Sequence, residues 1–216
     1  MARHGTETPL SLGVPRGCMD AVDAARALLA EAEATNERRL LVLTGAREDC
    51  YRVADAVLDA VSVGVSDTAL VGERDALACR HVEPSRASTL LGTTLSAVVY
   101  DAHDTLRPNA LGQVVGAVDG GGLLLLLAPD LDGWPDRRDG FDEGLAVPPF
   151  GVEDVSGRFR RRFVESLRAH PGIGIVAVGG GDDVDGTRVV DDGLTNPAPR
   201  LVDSRESEDE NPIPVE

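Results

Sequence analysis

The apolar run Ala97-Val98-Val99-Tyr100 is closed by Asp101, and His103 and Asp104 follow within three residues. Such a run reads as a buried strand, and carboxylates at its carboxyl end stand where open α/β sheets gather ligands. Asp101 and Asp104 could there hold magnesium for phosphate-ester hydrolysis, which makes them the metal candidates of the chain. That chemistry needs a partner that grips phosphate. Leu41-Val42-Leu43-Thr44-Gly45-Ala46-Arg47-Glu48 occupies the strand-to-helix position of a phosphate loop, with one glycine, no Gly-Lys-Ser/Thr and a glutamate facing any incoming phosphate. The chain contains no lysine at all, so Gly45 and Arg47 mark only a degenerate nucleotide-loop position. No glutamate follows Asp101 to activate water. The expected roles are a strand-to-helix turn at Gly45 and capping of the next helix by Asp104 or Thr105, with no catalytic residue and no metal ligand assigned.

The one basic feature is Arg158-Phe159-Arg160-Arg161-Arg162, reinforced by Arg168. Its arginines could neutralise RNA phosphates, a contact that weakens steeply with salt. Arg158, Arg160, Arg161 and Arg162 are therefore the RNA-binding candidates, against the alternative that they pair with carboxylates such as Glu165 on a solvated face. Gly120-Gly121-Gly122 and Gly179-Gly180-Gly181 lack the Gly-x-Gly-x-x-Gly order at a helix opening and read as turns. No Gly-x-Ser-x-Gly elbow exists, and four scattered histidines define no triad. Cys18, Cys50 and Cys79 are isolated, which suggests neither a disulfide framework nor a zinc site.

Behind these residues stands an acidic chain of 216 residues, with 37 acids against 21 bases, every base an arginine, and a formal charge of −16. The balance resembles proteins of salt-loving archaea, because in molar salt the Debye length shrinks to about 3 Å and screens the repulsion of an acidic surface. The length fits one domain with a tail. The N-terminus lacks an apolar segment of export-signal length, and the longest apolar run is Leu123 to Ala128, so a cytoplasmic protein with no membrane partner is expected.

Strands and helices alternate. Asp20 to Asn36 carries Val22, Ala25, Leu28, Leu29 and Ala32 at helical spacing. Leu40 to Thr44 reads as a strand, Glu48 to Val61 as a helix, Thr68 to Val71 and Arg80 to Val82 as weaker strands, and Pro84 to Leu91 as a helix start. The strand Ala97 to Tyr100, a helix Pro108 to Val118 with proline in its first turn, and the strand Gly122 to Ala128 follow. Five consecutive leucines without alternation fit a strand covered on both faces. After a loop around Asp130 to Pro149, Ser156 is positioned to cap a helix lined by Phe159, Phe163, Val164 and Leu167, and Ile173 to Val178 is the last strand. The pattern specifies a three-layer α/β/α sandwich with a mostly parallel, Rossmann-like, degenerate P-loop-like sheet. Residues 1–37 are expected to be an N-terminal helix packing on the core, 38–181 the core, and 182–216 an acidic, proline-containing linker or disordered tail with a small hairpin around Thr187 to Val190.

Several segments together resemble a family. Arg39 to Glu48, Val99-Tyr100-Asp101-Ala102 to Pro108-Asn109-Ala110-Leu111-Gly112, Gly121-Gly122-Leu123-Leu124-Leu125, Trp134-Pro135, and Gly157-Arg158-Phe159-Arg160-Arg161 look like the N-terminal module of the tRNA(Met) cytidine acetyltransferases in a haloarchaeal version. The resemblance covers Arg38 to Leu201, including Gly193-Leu194-Thr195-Asn196-Pro197-Ala198-Pro199-Arg200-Leu201, and its specificity lies in the order and spacing of modest motifs. It implies that the full-length family enzymes convert the wobble cytidine of elongator methionine tRNA to N4-acetylcytidine with acetyl-CoA and ATP. It further implies an N-terminal α/β module ahead of a helicase-like motor, an acetyltransferase domain and a tRNA-binding C-terminal region. ATP, magnesium and acetyl-CoA are then expected in the other family domains and none in this chain, which ends before the motor's phosphate loop would begin. The expected role is a non-catalytic layer docked on the motor and acetyltransferase domains, in cis or in trans, and contacting tRNA through the arginine helix. The alternatives are a stand-alone nucleotide-binding hydrolase using Asp101 and Asp104, and a purely structural subunit.

Overall fold

A computed structural model describes residues 19–179 and 186–195. The apolar runs form seven strands: β1 (Arg39–Gly45), β2 (Thr68–Val71), β3 (Arg80–Val82), β4 (Leu95–Asp101), β5 (Val118–Ala128), β6 (Ile173–Val178) and β7 (Thr187–Asp191). They make one sheet in the order β3-β2-β4-β5-β1-β6-β7, parallel at every pairing except the antiparallel β6–β7 edge. The helices are α1 (Ala21–Thr35), α2 (Arg47–Ala60), α3 (Pro108–Ala117), the short α4 (Gly140–Glu143) and α5 (Arg158–Ala169).

The leucine run of β5 shows why no alternation is needed. Leu123, Leu125 and Leu127 pack into one apolar cluster with Leu28 of α1 and Val53 and Val57 of α2. Leu124 and Leu126 point the other way, into a cluster with Val114 of α3 and Val164 and Leu167 of α5. Both faces of the sheet are covered, giving the expected three-layer sandwich. At about 2 kcal/mol for each fully buried leucine, this strand is a main source of hydrophobic stabilisation. Local signals fix the helix ends. Asp20 Oδ1 accepts from the Asp23 amide at 2.8 Å at the start of α1, Asn36 closes α1 with a left-handed φ of 51°, and Pro108 opens α3. Among the described residues no helix is long and apolar enough to cross a membrane.

Several local expectations change. The N-cap of α3 is Arg107, without a side-chain cap, in place of Asp104 or Thr105. Pro84–Leu90 is a 3-10 helix instead of an α-helix start, in a stretch where Ser85, Ser88 and Thr89 favour local turns. Gly120, Gly121 and Gly122 are not a turn before a strand but lie inside β5. Pairing moves from Leu95↔Val118 to Ala97↔Leu123, so the glycine side gains extra residues opposite Ser96 and bulges. The N-cap of α5 is Gly157, without a side-chain cap, in place of Ser156. The segment after Pro129 contains a 3-10 turn at Trp134–Asp136 and α4, whose N-cap Asp139 and N3 residue Asp142 form a reciprocal capping box.

Toward the end of the chain, Thr187–Asp191 pairs with β6 as an edge strand of the main sheet instead of folding into a hairpin of its own. Thr195 donates its amide to Glu31 Oε2 at 2.9 Å, and buried Arg39 pairs with Glu31 at 2.8 Å and Glu37 at 2.9 Å. Sheet and α1 are thereby tied to residue 195, inside the segment expected as linker. The second glycine triplet extends past Gly179 into residues outside those described, as do Cys18 and most of the expected tail.

Candidate functional site

The apolar strand β4 delivers Asp101 to the carboxyl edge of the sheet, where its side chain is buried. Oδ1 accepts from the His103 amide at 2.9 Å and from His103 Nδ1 at 2.7 Å. Oδ2 accepts from the Tyr51 hydroxyl of α2 at 2.7 Å, and Arg47 Nε stands 3.6 Å away. The other His103 nitrogen, Nε2, faces the Gly45 carbonyl at 3.1 Å, and Arg47 Nη2 reaches the half-exposed Asp104 at 2.5 Å. One carboxylate thus joins the loop after β1, the first turns of α2 and the loop after β4.

The electrostatics follow from these partners. Burial pushes the Asp101 carboxyl upward, but hydrogen bonds from the His103 side chain and amide and from Tyr51 outweigh it and hold the group below the ordinary carboxylate range. Burial and the bond to Asp101 push the Tyr51 hydroxyl far up, so it remains a neutral donor. Burial pulls the Arg47 guanidinium down, while the Asp104 bond and the charges of Asp101 and Asp104 more than restore it, leaving its affinity for the proton raised.

This closed arrangement leaves the Asp101 carboxylate almost no surface toward solvent. A magnesium ligand needs oxygen lone pairs turned to the cavity, and those of Asp101 are spent on internal donors. Among the described residues no group of three or more His, Cys, Asp or Glu side chains is placed to hold a metal ion. Gly45 and Arg47, brought together here as the sequence order requires, do other work. A Cβ on Gly45, whose φ is +156°, would run into the Val178 carbonyl, so this glycine permits β6 to pack close against β1. Arg47 is taken by two carboxylates, and Glu48 and Asp49 occupy the first turn of α2, where an anion site would need positive potential.

The arginine helix divides. Arg160 is buried, paired with Asp139 at 3.0 Å and with Asp142, and it donates to the Arg137 carbonyl. It is an internal clamp between α5 and the α4 capping box and leaves the RNA-facing set. Arg158, Arg161 and Arg162 are exposed. Arg161 has only a loose 4.0 Å pair with Asp136, and Arg158 and Arg162 form no ion pair with a described residue. Arg168 is also exposed and is held by Asp132 at 2.5 Å. A signal for Arg160 was present in the sequence: Arg160, Val164 and Leu167 fall at i, i+4 and i+7, one helix face. Tyr51, Asp139 and Asp142 were not singled out by sequence reasoning. The two aspartates carry a capping-box spacing that could have found them, whereas nothing local marks Tyr51, fifty positions before its partner.

Comparison with known proteins fits this picture of a module from something larger. The family model described as tRNA(Met) cytidine acetyltransferase TmcA, N-terminal, matches residues 18–178. A tRNA(Met) cytidine acetyltransferase TmcA of Haloarcula marismortui is 58% identical over 178 residues, covering 82% of this chain and 22% of the relative. That of Haloferax volcanii is 56% identical over 154 residues, 70% of this chain and 20% of the relative. That of Nitrosococcus halophilus is 36% identical over 152 residues, again 70% and 20%. The chain spans about a fifth of the length of these relatives, so further domains of the same protein are implied. With the family model matched across every strand from β1 to β6, the chain belongs to the tRNA(Met) cytidine acetyltransferase family, as its N-terminal module.

Proposed function

We propose that this chain is a non-catalytic layer of a tRNA(Met) cytidine acetyltransferase, docked on the helicase-like motor and acetyltransferase domains and contacting tRNA through Arg158, Arg161 and Arg162. In this reading ATP, magnesium and acetyl-CoA act on those other domains, which form N4-acetylcytidine at the wobble position. The observation that carries it is the closure of Asp101: a carboxylate whose oxygens are filled by Tyr51 and His103, beside an arginine filled by Asp104, works as a strut. The exposed arginines of α5 are clustered cationic groups available to meet phosphate.

Retention of an elongator tRNA(Met) transcript by the chain, followed as KCl is raised, tests the contact. Each of Arg158→Gln, Arg161→Gln and Arg162→Gln should lower the salt slope by about one and weaken binding without sequence preference. A triple variant that retains tRNA as well as the wild type contradicts the contact. Saturable binding of ATP with magnesium that is lost in Asp101→Ala would instead support the hydrolase alternative.

A further inference from the structure

All four phenylalanines and the single tryptophan of the chain lie between Trp134 and Phe163. They do not all serve the core. From buried Trp134, ring contacts run to Phe163 (5.9 Å between centroids), on to Phe159 (6.4 Å) and then to Phe141 (5.1 Å), reaching the surface at Phe159. Just beyond α4 the chain exposes Leu145, Val147 and Phe150 at 50%, 66% and 65% of their surfaces. A trough of about 480 Å³ is lined by these three and Val155, and a second of about 580 Å³ shares Leu145 and continues along Phe141. Single exposed apolar residues are ordinary, but a contiguous group rimmed by charge marks an interaction surface.

The rim decides the kind of partner. Asp154 lines the first trough and exposed Glu143 and Glu153 lie beside it in sequence, none forming an ion pair with a described residue. Arg107 of the second trough stands 3.6 Å from Glu73. The rim of the first trough is therefore unfavourable to phosphate and suits a protein face around an apolar centre. We propose that Leu145, Val147 and Phe150 are the docking surface for the rest of the same polypeptide, the four fifths that the relatives carry beyond the matched part. The length of that polypeptide commits the surface to this occupant, and the acidic residues beside the first trough argue against a nucleic acid. The inference rests on the docking reading above and assigns it a place.

Hydrogen exchange tests it by comparing the 216-residue chain alone with the same chain replacing the matched 178-residue segment of the Haloarcula marismortui relative. Amides of residues 145–147, 150 and 151 should exchange at least about tenfold more slowly in the full-length protein. Val147→Glu with Phe150→Glu should return them to the rates of the isolated chain, and Phe150→Ala, which adds no charge, should shift them in the same direction. Slowing confined to another face would overturn this surface and leave docking standing. No slowing anywhere would overturn the docking reading itself. Slowing at residues 145–147, 150 and 151 that needs added tRNA, or that grows with the concentration of the isolated chain, would assign the surface to RNA or to a second copy and overturn the inference.

Discussion

Asp101 ties α2 to the loop after β4, alongside the Arg47–Asp104 and His103–Gly45 contacts between the same segments. Asp101→Asn keeps the size of the side chain but removes the charge opposite Arg47 and one acceptor facing His103. It should cost roughly 3 kcal/mol, the range for breaking a buried pair from one side, read as a lower unfolding midpoint in denaturant. Its pH dependence has a definite sign. The folded carboxyl lies below its unfolded value, so its contribution is complete above the ordinary carboxylate range and fades as pH falls through it, below about 4. The stability difference between wild type and Asp101→Asn should therefore narrow in acid; a constant difference contradicts the assignment. Cys50 gives a second check. Burial first, then the charges of Asp101 and Asp49, push its thiol up to about 12, so peptide mapping after alkylation at neutral pH should find Cys50 unmodified until the protein unfolds. At this scale the acid was visible in the sequence, because an apolar run ending in aspartate has few other meanings. Its satisfaction was not, because Tyr51 reaches it, and Gly45 reaches its partner His103, only through the parallel crossover.

The elements explain which arginines are available. On α5, burial follows the spacing of Arg160, Val164 and Leu167, while Arg158, Arg161 and Arg162 fall on the other faces. Arg160→Gln leaves Asp139 and Asp142 without their cation and should cost about 3 kcal/mol. Arg158→Gln and Arg162→Gln should stay within about 0.5 kcal/mol in the same denaturant titration. Equal costs would show that the helix face is misassigned. The alternation of β1, α2, β4, α3, β5 and α5 was readable from apolar runs, proline and capping residues. What escaped was chemistry with two readings: a glycine triplet serves a turn or a bulge equally well, and only pairing with β4 selects the bulge.

The whole molecule carries a formal charge of −16, and its exposed carboxylates repel one another when salt is low. Its thermal midpoint should rise as KCl approaches the molar range, where the Debye length is about 3 Å; a midpoint that falls with KCl contradicts this. The chain spans about a fifth of the length of its relatives, and it exposes both an apolar surface beyond α4 and the arginines of α5. If Asp101 is only a strut, the chain turns over no nucleotide by itself. Calorimetric titration of the chain with ATP and magnesium, with released phosphate measured on the same sample, tests it most directly. No saturable heat and no phosphate above the buffer rate are expected. Stoichiometric binding with turnover that Asp101→Asn abolishes would contradict it.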